Sequence, residues 1–471
     1  VTPFTFYPQL SLVREALKGS RRRVFLVGGA VRDFCLNRKG GCDLDFAVDA
    51  HAIELARRLA RRIRGAFVLL DAEHGSGRVV KKIDGVVWTF DLTDWRGKTF
   101  QKDLSSRDFT VNALGMNIAD DDARVHEFKG ARRDLNKGII RMVSPKAFKD
   151  DPLRLLRAFS LQATLGFKIE SKTLAQIKKD AHLIGHVAAE RIREEIFKVM
   201  ASQRAAATIS AMDKIGLLPN VIPQITVMYR VKQGGFHHLD VWPHSLAVLS
   251  NLEKIGEAMG REDNRIQTYL QEIIGGGHTR LALLKMAAIL HDIGKPETRK
   301  KEGARMTFHG HEHVGERITR QVCRHLKMSA KERYFLEDTV RMHLRPGYVA
   351  NFIRPSEKTI FRYLRDTKKE AAGLAILALA DQASTCGPLT TAARHKHHAK
   401  ICRMLIERYF EVKEQKPKQR LLTGHDLIKI LKLKPSALFG KILASVEEAA
   451  ALGKVSTKEE AIDLARKISK G

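Results

Sequence analysis

The chain has few aromatic residues, few cysteines, a shortage of acids and no long apolar run, and each deficit narrows what it can be. Phe, Trp and Tyr make up only 7% of the 471 residues. Extensive base stacking is therefore not expected, and phosphates and shape are the features of a nucleic acid this chain would grip. Five cysteines (Cys35, Cys42, Cys323, Cys386 and Cys402) are scattered, odd in number and without a CxxC pair. That argues against a disulfide framework and for reduced thiols in a cytoplasmic protein. No apolar stretch reaches the roughly 18–20 residues that span a bilayer. Val1-Thr-Pro-Phe4 lacks the basic and apolar segments of a secretion signal, so no membrane is expected as partner.

The 53 acids face 83 Lys and Arg residues, a formal charge of +30. The excess is spread along the chain rather than gathered in a tail. Such a chain attracts polyanions, and nucleic acid is the expected partner; no protein partner is implied. With 471 residues and 44% hydrophobic content, two to four soluble globular domains are expected.

Strand and helix signals divide the chain. In residues 1–130 the pattern mixes a helix at Leu10–Leu17, a short apolar strand at Val24–Val27, an alternating strand at Asp43–Val48 and a helix at Ile53–Ile63. Val79–Ile83 and Val86–Leu92 flank Asp84-Gly85, a two-residue hairpin signal. This is an α+β domain. Beyond it strand signals stop. A helix is expected from Asp151, with Pro152 in its first turn. Helical spacing recurs at 188–200, 245–255, 281–290, 371–380 and 401–410. A charged linker follows at Lys413–Arg420, then a small helical unit at 421–471. The domain reading is 1–130, a helical 131–225, a histidine-rich 226–400 and a helical tail 401–471.

Two constellations carry chemistry. Gly28-Gly29 ends the first strand and opens a helix, so backbone amides can approach phosphates closely, and Arg32 can add a charge-assisted bond. Asp43 and Asp45 lie two apart on a strand and point to one side. Two hard oxygen donors aimed at one point suit Mg²⁺ bridging a triphosphate and a hydroxyl. The buried partners Leu44 and Phe46 anchor the strand that holds them. Further on stand His244, His291-Asp292 within HDIGKP, and Asp381 at the end of an apolar run. Imidazole and carboxylate donors suit a transition metal such as Ni²⁺, Mn²⁺ or Co²⁺.

GGAVRD, DLDFAV, Ser105-Ser-Arg-Asp-Phe-Thr-Val-Asn-Ala-Leu114, Asp150-Asp-Pro-Leu-Arg-Leu-Leu-Arg157 and Glu190-Arg-Ile-Arg-Glu-Glu195 resemble, in order, the motifs of the class II tRNA nucleotidyltransferase and bacterial poly(A) polymerase family. The resemblance implies a polymerase-β-like head, an all-helical neck, body and tail, and template-independent addition of nucleotides from CTP or ATP to an RNA 3′ end. It implies metal-binding roles for Asp43 and Asp45, triphosphate contacts at Gly28, Gly29 and Arg32, and a motif near the ribose at Arg107 and Asp108. It also implies that Asp151, Arg154 and Arg157 read the base edge in place of a template. Asp91, ending a strand, is the candidate third carboxylate.

The chain departs from the family pattern at Ser106, Asp150 and Ser160, where Arg, Glu and Arg are usual. The segment between Leu92 and Leu104 is short. Full CCA-adding members carry a longer flexible loop there, and its shortening resembles enzymes that add only CC.

The order H…HD…D resembles the HD phosphohydrolase superfamily. That resemblance implies metal-activated water attacking a phosphate ester, a phosphatase or cyclic phosphodiesterase activity. His311 and His343 recur where the superfamily places extra ligands, although His309, His311 and His313 read equally as a surface cluster. The tail, from Leu421-Leu-Thr-Gly-His-Asp-Leu-Ile428 onward, resembles the family's tRNA clamp. The competing readings are a poly(A) polymerase, an HD hydrolase with an RNA-binding head, and a non-catalytic RNA-binding protein.

Overall fold

The computed structural model describes residues 3–38, 40–120, 124–303, 305–415 and 420–470. The chain divides into two compact units, Val1–Ser202 with Ala211–Val221, and Gln203–Ser210 with Ile222–Gly471.

The first unit is built on seven strands: β1 (Val24–Val27), β2 (Asp43–Val48), β3 (Ala66–Asp71), β4 (Ser76–Ile83), β5 (Val86–Asp94), β6 (Leu114–Asn117) and β7 (Val125–Glu127). Their order is β3-β4-β5-β2-β1-β6-β7. Only the β2–β5 pair is parallel. The β4–β5 turn has Asp84 at φ 49° and Gly85 at φ 81°, the two positive values a tight hairpin needs.

α1 (Gly29–Cys35) follows β1, and α2 (Ala52–Ile63) follows β2. Strand alternation separates the faces of the sheet. Leu44, Phe46, Val79, Phe90 and Leu92 point one way, each no more than 1% exposed, and Leu55, Ala56, Leu59 and Ala60 of α2 cover them. Burying each such large side chain contributes about 1.5–3 kcal/mol. The other face carries Asp43, Asp45 and Asp91. Beyond them Phe25, Val27 and Ala47 form a second cluster with Phe100 and Leu104. One sheet face is thus half core and half open carboxylate.

α3 (Arg154–Leu165) and α4 (Ala189–Ala201) pack together in the neck. Pro152 is not in the first turn of α3: the helix begins at Arg154. The residue before a proline is pushed out of the helical region, and Asp151 is extended at φ −148°, ψ 100°. Strands also persist past residue 130. Ile139–Ile140 pairs with Lys168–Ile169, and two hairpins follow, Ile273–Gly275 with His278–Thr279 and Lys300–Glu302 with Arg305–Thr307. Pieces of two or three residues are too short to show alternation.

The second unit is helical: α5 (Val241–Glu262), α6 (Arg280–Leu290), α7 (His311–His325), α8 (Ala330–Met342), α9 (Ala371–Ala383) and α10 (Ala392–Glu414). Residues 371–380 of α9 are all buried, as expected of a helix apolar on every side. α10 runs unbroken through residues 400 and 401, so the tail separates only after Glu414. Of the expected linker, 416–419 lie outside the described residues. Three tail helices, Gly424–Lys429, Ala437–Ala451 and Lys458–Lys470, close around Leu427, Ile442, Val446, Ala461 and Ala465. No helix among the described residues is long and apolar enough to cross a membrane.

Candidate functional sites

In the first unit the strand register brings the carboxylates together. Asp45 pairs with Asp91, and Asp43 with Thr89, across the parallel β2–β5 ladder. The Thr89 hydroxyl donates to Asp43. Solvent reaches the Asp45 side chain, yet desolvation raises its pKa above 3.8. Asp91 and Asp43 add to the rise, and Arg157 and Arg107 oppose it. Three acids held this close call for a compensating cation, and their oxygen donors fit a hard divalent ion. Asp91 is meanwhile held by Arg78, whose Nε and Nη2 donate to its two oxygens at 2.7 Å each.

Gly28 sits between β1 and α1 at φ 72°. A Cβ there would make only ordinary contacts with Arg107 and Asp45, at 3.5 and 3.8 Å, so it is the left-handed backbone beside the acids that favours glycine. The Arg32 guanidinium folds over Gly29 and donates to Asn112 at 2.7 Å and to both Asp33 oxygens at 2.9 and 3.1 Å. Asp103, almost fully buried, fixes Arg107 at 3.0 Å. Asp108 is buried and accepts from the Phe109 amide at 2.7 Å and from Asn112 at 3.2 Å. Arg157 Nε completes the set at 2.9 Å. Burial would raise the Asp108 pKa, but Arg157 and these hydrogen bonds outweigh it and hold the carboxyl below 3.8.

The base-reading candidates are occupied. Arg154 is buried and donates to the carbonyls of Ser106 at 3.0 Å, Ala147 at 3.3 Å and Arg107 at 3.4 Å, so it braces the Ser106–Arg107 turn. Asp151 pairs with Arg191 at 3.0 Å. Ser160, where the family carries Arg, donates to the buried Glu195, and Lys198 pairs with the same acid at 2.8 Å. Sequence reasoning missed Arg78, Asp103, Asn112 and Arg191. Arg78 was findable in principle, since it lies directly across the β4–β5 ladder from Asp91.

In the second unit six side chains converge. His244, His291 and Asp381 form one triad, and Asp292, His311 and His343 a second, each with ligand atoms within 4.8 Å of one another. His244 comes from α5, His291 and Asp292 from the end of α6, His311 from the start of α7, His343 from the end of α8, and Asp381 from α9. His244 Nε2 lies 3.0 Å from Asp381. Asp292 joins the triads. Its Oδ2 faces His291 at 3.2 Å and His244 at 3.7 Å, and its Oδ1 faces His311 at 3.4 Å and His343 at 3.9 Å. His309 and His313, by contrast, are exposed. Of that cluster only His311 turns inward, because it follows the left-handed Gly310 (φ 79°).

The protonation pattern tests the fit to a metal. His291, His311 and His343 each place Nδ1 2.6–2.8 Å from a backbone carbonyl three residues earlier, at Ala288, Phe308 and Val340. A carbonyl only accepts, so Nδ1 carries a proton, and Nε2 keeps the lone pair when the ring is neutral, although at His291 burial is outweighed by Asp292, which raises its pKa. Yet His311 Nε2 faces His343 Nε2 at 3.2 Å, and His343 is held neutral, its pKa lowered to about 3 by burial and by His291 and His311. Two lone pairs pointed at each other make sense around a cation. His291 Nε2 is likewise buried, and faces Asp292 Oδ2 at 3.2 Å. Lys295, at 2.7 Å from Asp292, offsets part of the charge.

Gly294 holds this centre closed. A methyl there would strike the His311 carbonyl and the Gly315 amide. Gly294→Ala should therefore displace the start of α7, cost about 1–3 kcal/mol by overpacking, and reduce bound metal. Thermal denaturation and metal analysis of the purified variant check both.

Family models match along the chain: the poly A polymerase head domain at 24–141, the probable RNA and SrmB-binding site of polymerase A at 166–228, the HD domain at 241–385, and a putative tRNA nucleotidyltransferase domain 2 at 372–465. An A-adding tRNA nucleotidyltransferase from Deinococcus radiodurans is 32% identical over 449 residues, 93% of either chain. The chain belongs to the tRNA nucleotidyltransferase family. A second member of that family, a CC-adding tRNA nucleotidyltransferase from Thermus thermophilus, is 30% identical over 445 residues, covering 93% of this chain and 92% of its own. The fold is shared with the Thermotoga maritima CCA-adding enzyme in its complex with tRNA, at a TM-score of 0.62 and 18% identity, covering 99% of this chain and 96% of that one. These matches accord with the α+β head, HD domain and helical architecture expected from the motifs.

Proposed function

We propose that the first unit extends the 3′ end of tRNA without a template, and that it adds cytidines rather than the terminal adenosine. Asp43 and Asp45 hold the metal, which when bound neutralises the triphosphate and polarises the attacking hydroxyl. Gly28, Gly29 and Arg32 orient the triphosphate, and Arg107 with Asp108 sets the ribose side. The RNA 3′ oxygen bonds to the α-phosphorus as its proton passes to Asp91, the bond from that phosphorus to the β-bridging oxygen breaks, and pyrophosphate leaves. Asp151 and Arg157 face base selection, with Arg154 holding the Ser106–Arg107 turn in place.

The observation that carries the cytidine reading is the connection after β5. Only residues 95–99 separate Asp94 from the helix Phe100–Ser105. They are pinned: the Trp95 amide donates to Val48 at 2.8 Å, and its ring packs at 5.8–6.0 Å from Phe25 and Phe100. A segment this short and anchored lacks the reach of the long loop that helps full CCA-adding members switch from C to A. tRNA transcripts ending in the discriminator base, in -C and in -CC, offered labelled CTP or ATP, test it. CMP should enter the first two, and AMP should not enter the third. Efficient AMP addition onto -CC would reverse the reading toward CCA or A addition, and long A tracts would indicate a poly(A) polymerase.

The second unit supports a metal-dependent phosphohydrolase, with His244, His291, Asp292 and Asp381 holding one ion such as Ni²⁺, Mn²⁺ or Co²⁺, and His311 and His343 sharing Asp292 around another. The facing lone pairs favour this over a structural role. Hydrolysis of 2′,3′-cyclic AMP or p-nitrophenyl phosphate with those ions is the expected result. No turnover, together with no bound metal, would leave the domain as scaffold.

A further inference from the structure

Arg78 has no part in the chemistry so far, yet it occupies one corner of the carboxylate cluster. It stands directly across the ladder from Asp91, which stands level with Asp45 on the other side. Its fork takes both Asp91 oxygens at 2.7 Å, so the face on which a metal could chelate both oxygens together is occupied, and only one outer lone pair on each oxygen is left. The pair is not sealed in: the Arg78 side chain is 40% exposed and that of Asp91 19%. Solvent reaches both partners, so another anion can compete for the guanidinium. A phosphodiester suits the same planar fork as well as a carboxylate does. Other arginines nearby are more firmly committed, Arg107 to the buried Asp103 and Arg157 to the buried Asp108. Arg78 is the one whose acid is itself a candidate metal ligand.

We propose that Arg78 is a positioning residue that withholds Asp91 from the metal centre until a phosphodiester of the arriving RNA draws its guanidinium away. This rests on the nucleotidyl-transfer reading above. Its consequence is protection of bound nucleotide. With Asp91 engaged by Arg78, its charge is shared with the guanidinium and it is a poorer acceptor for a proton from water at the α-phosphate. With Asp91 free and RNA absent, a water oxygen would bond to the α-phosphorus, and the bond from that phosphorus to the β-bridging oxygen would break. Pyrophosphate would leave, one water proton would pass to Asp91, and the nucleotide would be spent as its monophosphate. RNA binding and completion of the centre become one event.

The test uses the full chain, with Mn²⁺ followed by electron paramagnetic resonance, with and without a tRNA transcript ending in the discriminator base. In the wild-type background Asp91→Asn should lower Mn²⁺ affinity without RNA only by the loss of one nearby charge, and about tenfold or more further with RNA. In the Arg78→Gln background the same substitution should bring that further loss already without RNA. Arg78→Lys, which keeps the charge, should restore wild-type behaviour in part. Ions in the histidine centre bind alike in all these proteins and drop out of the difference. Arg78→Gln should also raise RNA-independent conversion of CTP to CMP and pyrophosphate about tenfold. An effect of Asp91→Asn that is equal with and without RNA in the wild-type background, or none in either, overturns the proposal. Failure of the wild-type protein to extend any RNA end would instead overturn the nucleotidyl-transfer reading beneath it.

Discussion

Asp45→Asn should lower nucleotide incorporation by about 10³-fold or more, measured as CMP transfer from labelled CTP at saturating RNA. On the proposed reading the carboxylate is one of two that hold the metal, and metal stabilisation of the reacting phosphate supplies several kcal/mol. The same substitution should make the metal-free protein more stable. Desolvation and the adjoining Asp91 and Asp43 raise the Asp45 pKa above 3.8. A group raised in the folded state favours folding below its unfolded pKa, and that contribution is lost as pH rises through the folded value. At neutral pH the ionised Asp45 is therefore a burden in chelator, and the amide removes it. Thermal denaturation in EDTA should show Asp45→Asn melting above wild type at pH 7, with the gap closing toward pH 4. A variant that is inactive and also less stable at pH 7 would indicate that Asp45 supports the fold and not the metal.

Asp292→Asn should empty the second unit of metal and abolish metal-dependent phosphoester hydrolysis, a loss of about 10³-fold or more. This one carboxylate faces both triads, Oδ2 toward His244 and His291 and Oδ1 toward His311 and His343. Its removal also strands Lys295, 7% exposed and bonded besides to Gln233 at 2.6 Å. Breaking a buried pair from one side costs about 3–5 kcal/mol. A lower melting temperature should accompany the lost metal. His343→Gln leaves Lys295 paired, and so separates loss of metal from loss of stability: it should reduce metal content with a smaller change in melting temperature. Full metal content in Asp292→Asn would dissolve the shared-carboxylate arrangement.

Much of this was legible in the residues because it is local. β2 runs from Asp43 to Val48 as expected, since strict alternation fixes both its ends and its faces. Gly28, with the Asp84-Gly85 turn, announces its positive φ by residue type. HDIGKP and the apolar run before Asp381 marked four candidate ligands, His244, His291, Asp292 and Asp381, which the fold brings close together. What could not be read was pairing across distance. Arg191 meets Asp151 only once the neck has folded, whereas Arg78 opposite Asp91 follows from counting outward from the Asp84-Gly85 turn. The inward turn of His311 and the outward turns of His309 and His313 depend on where one helix starts. Arg154 could be recognised as a motif residue, but not as a guanidinium spent on three carbonyls, because its acceptors are backbone atoms that no side-chain pattern records.

The carbonyl-pinned histidines bear on how the centre is filled. Each ring is aimed by its own local backbone, at Ala288, Phe308 and Val340, and each sits at the end of a helix. In small zinc domains the metal is what makes the chain fold. Rings aimed by backbone carbonyls instead predict a socket that forms ahead of its ion. Loading becomes a late, reversible event open to whichever suitable ion is abundant when the chain is complete, and stripping with a chelator should leave the far-ultraviolet circular dichroism unchanged. The identity of the ion would then report the protein's surroundings as much as its sequence.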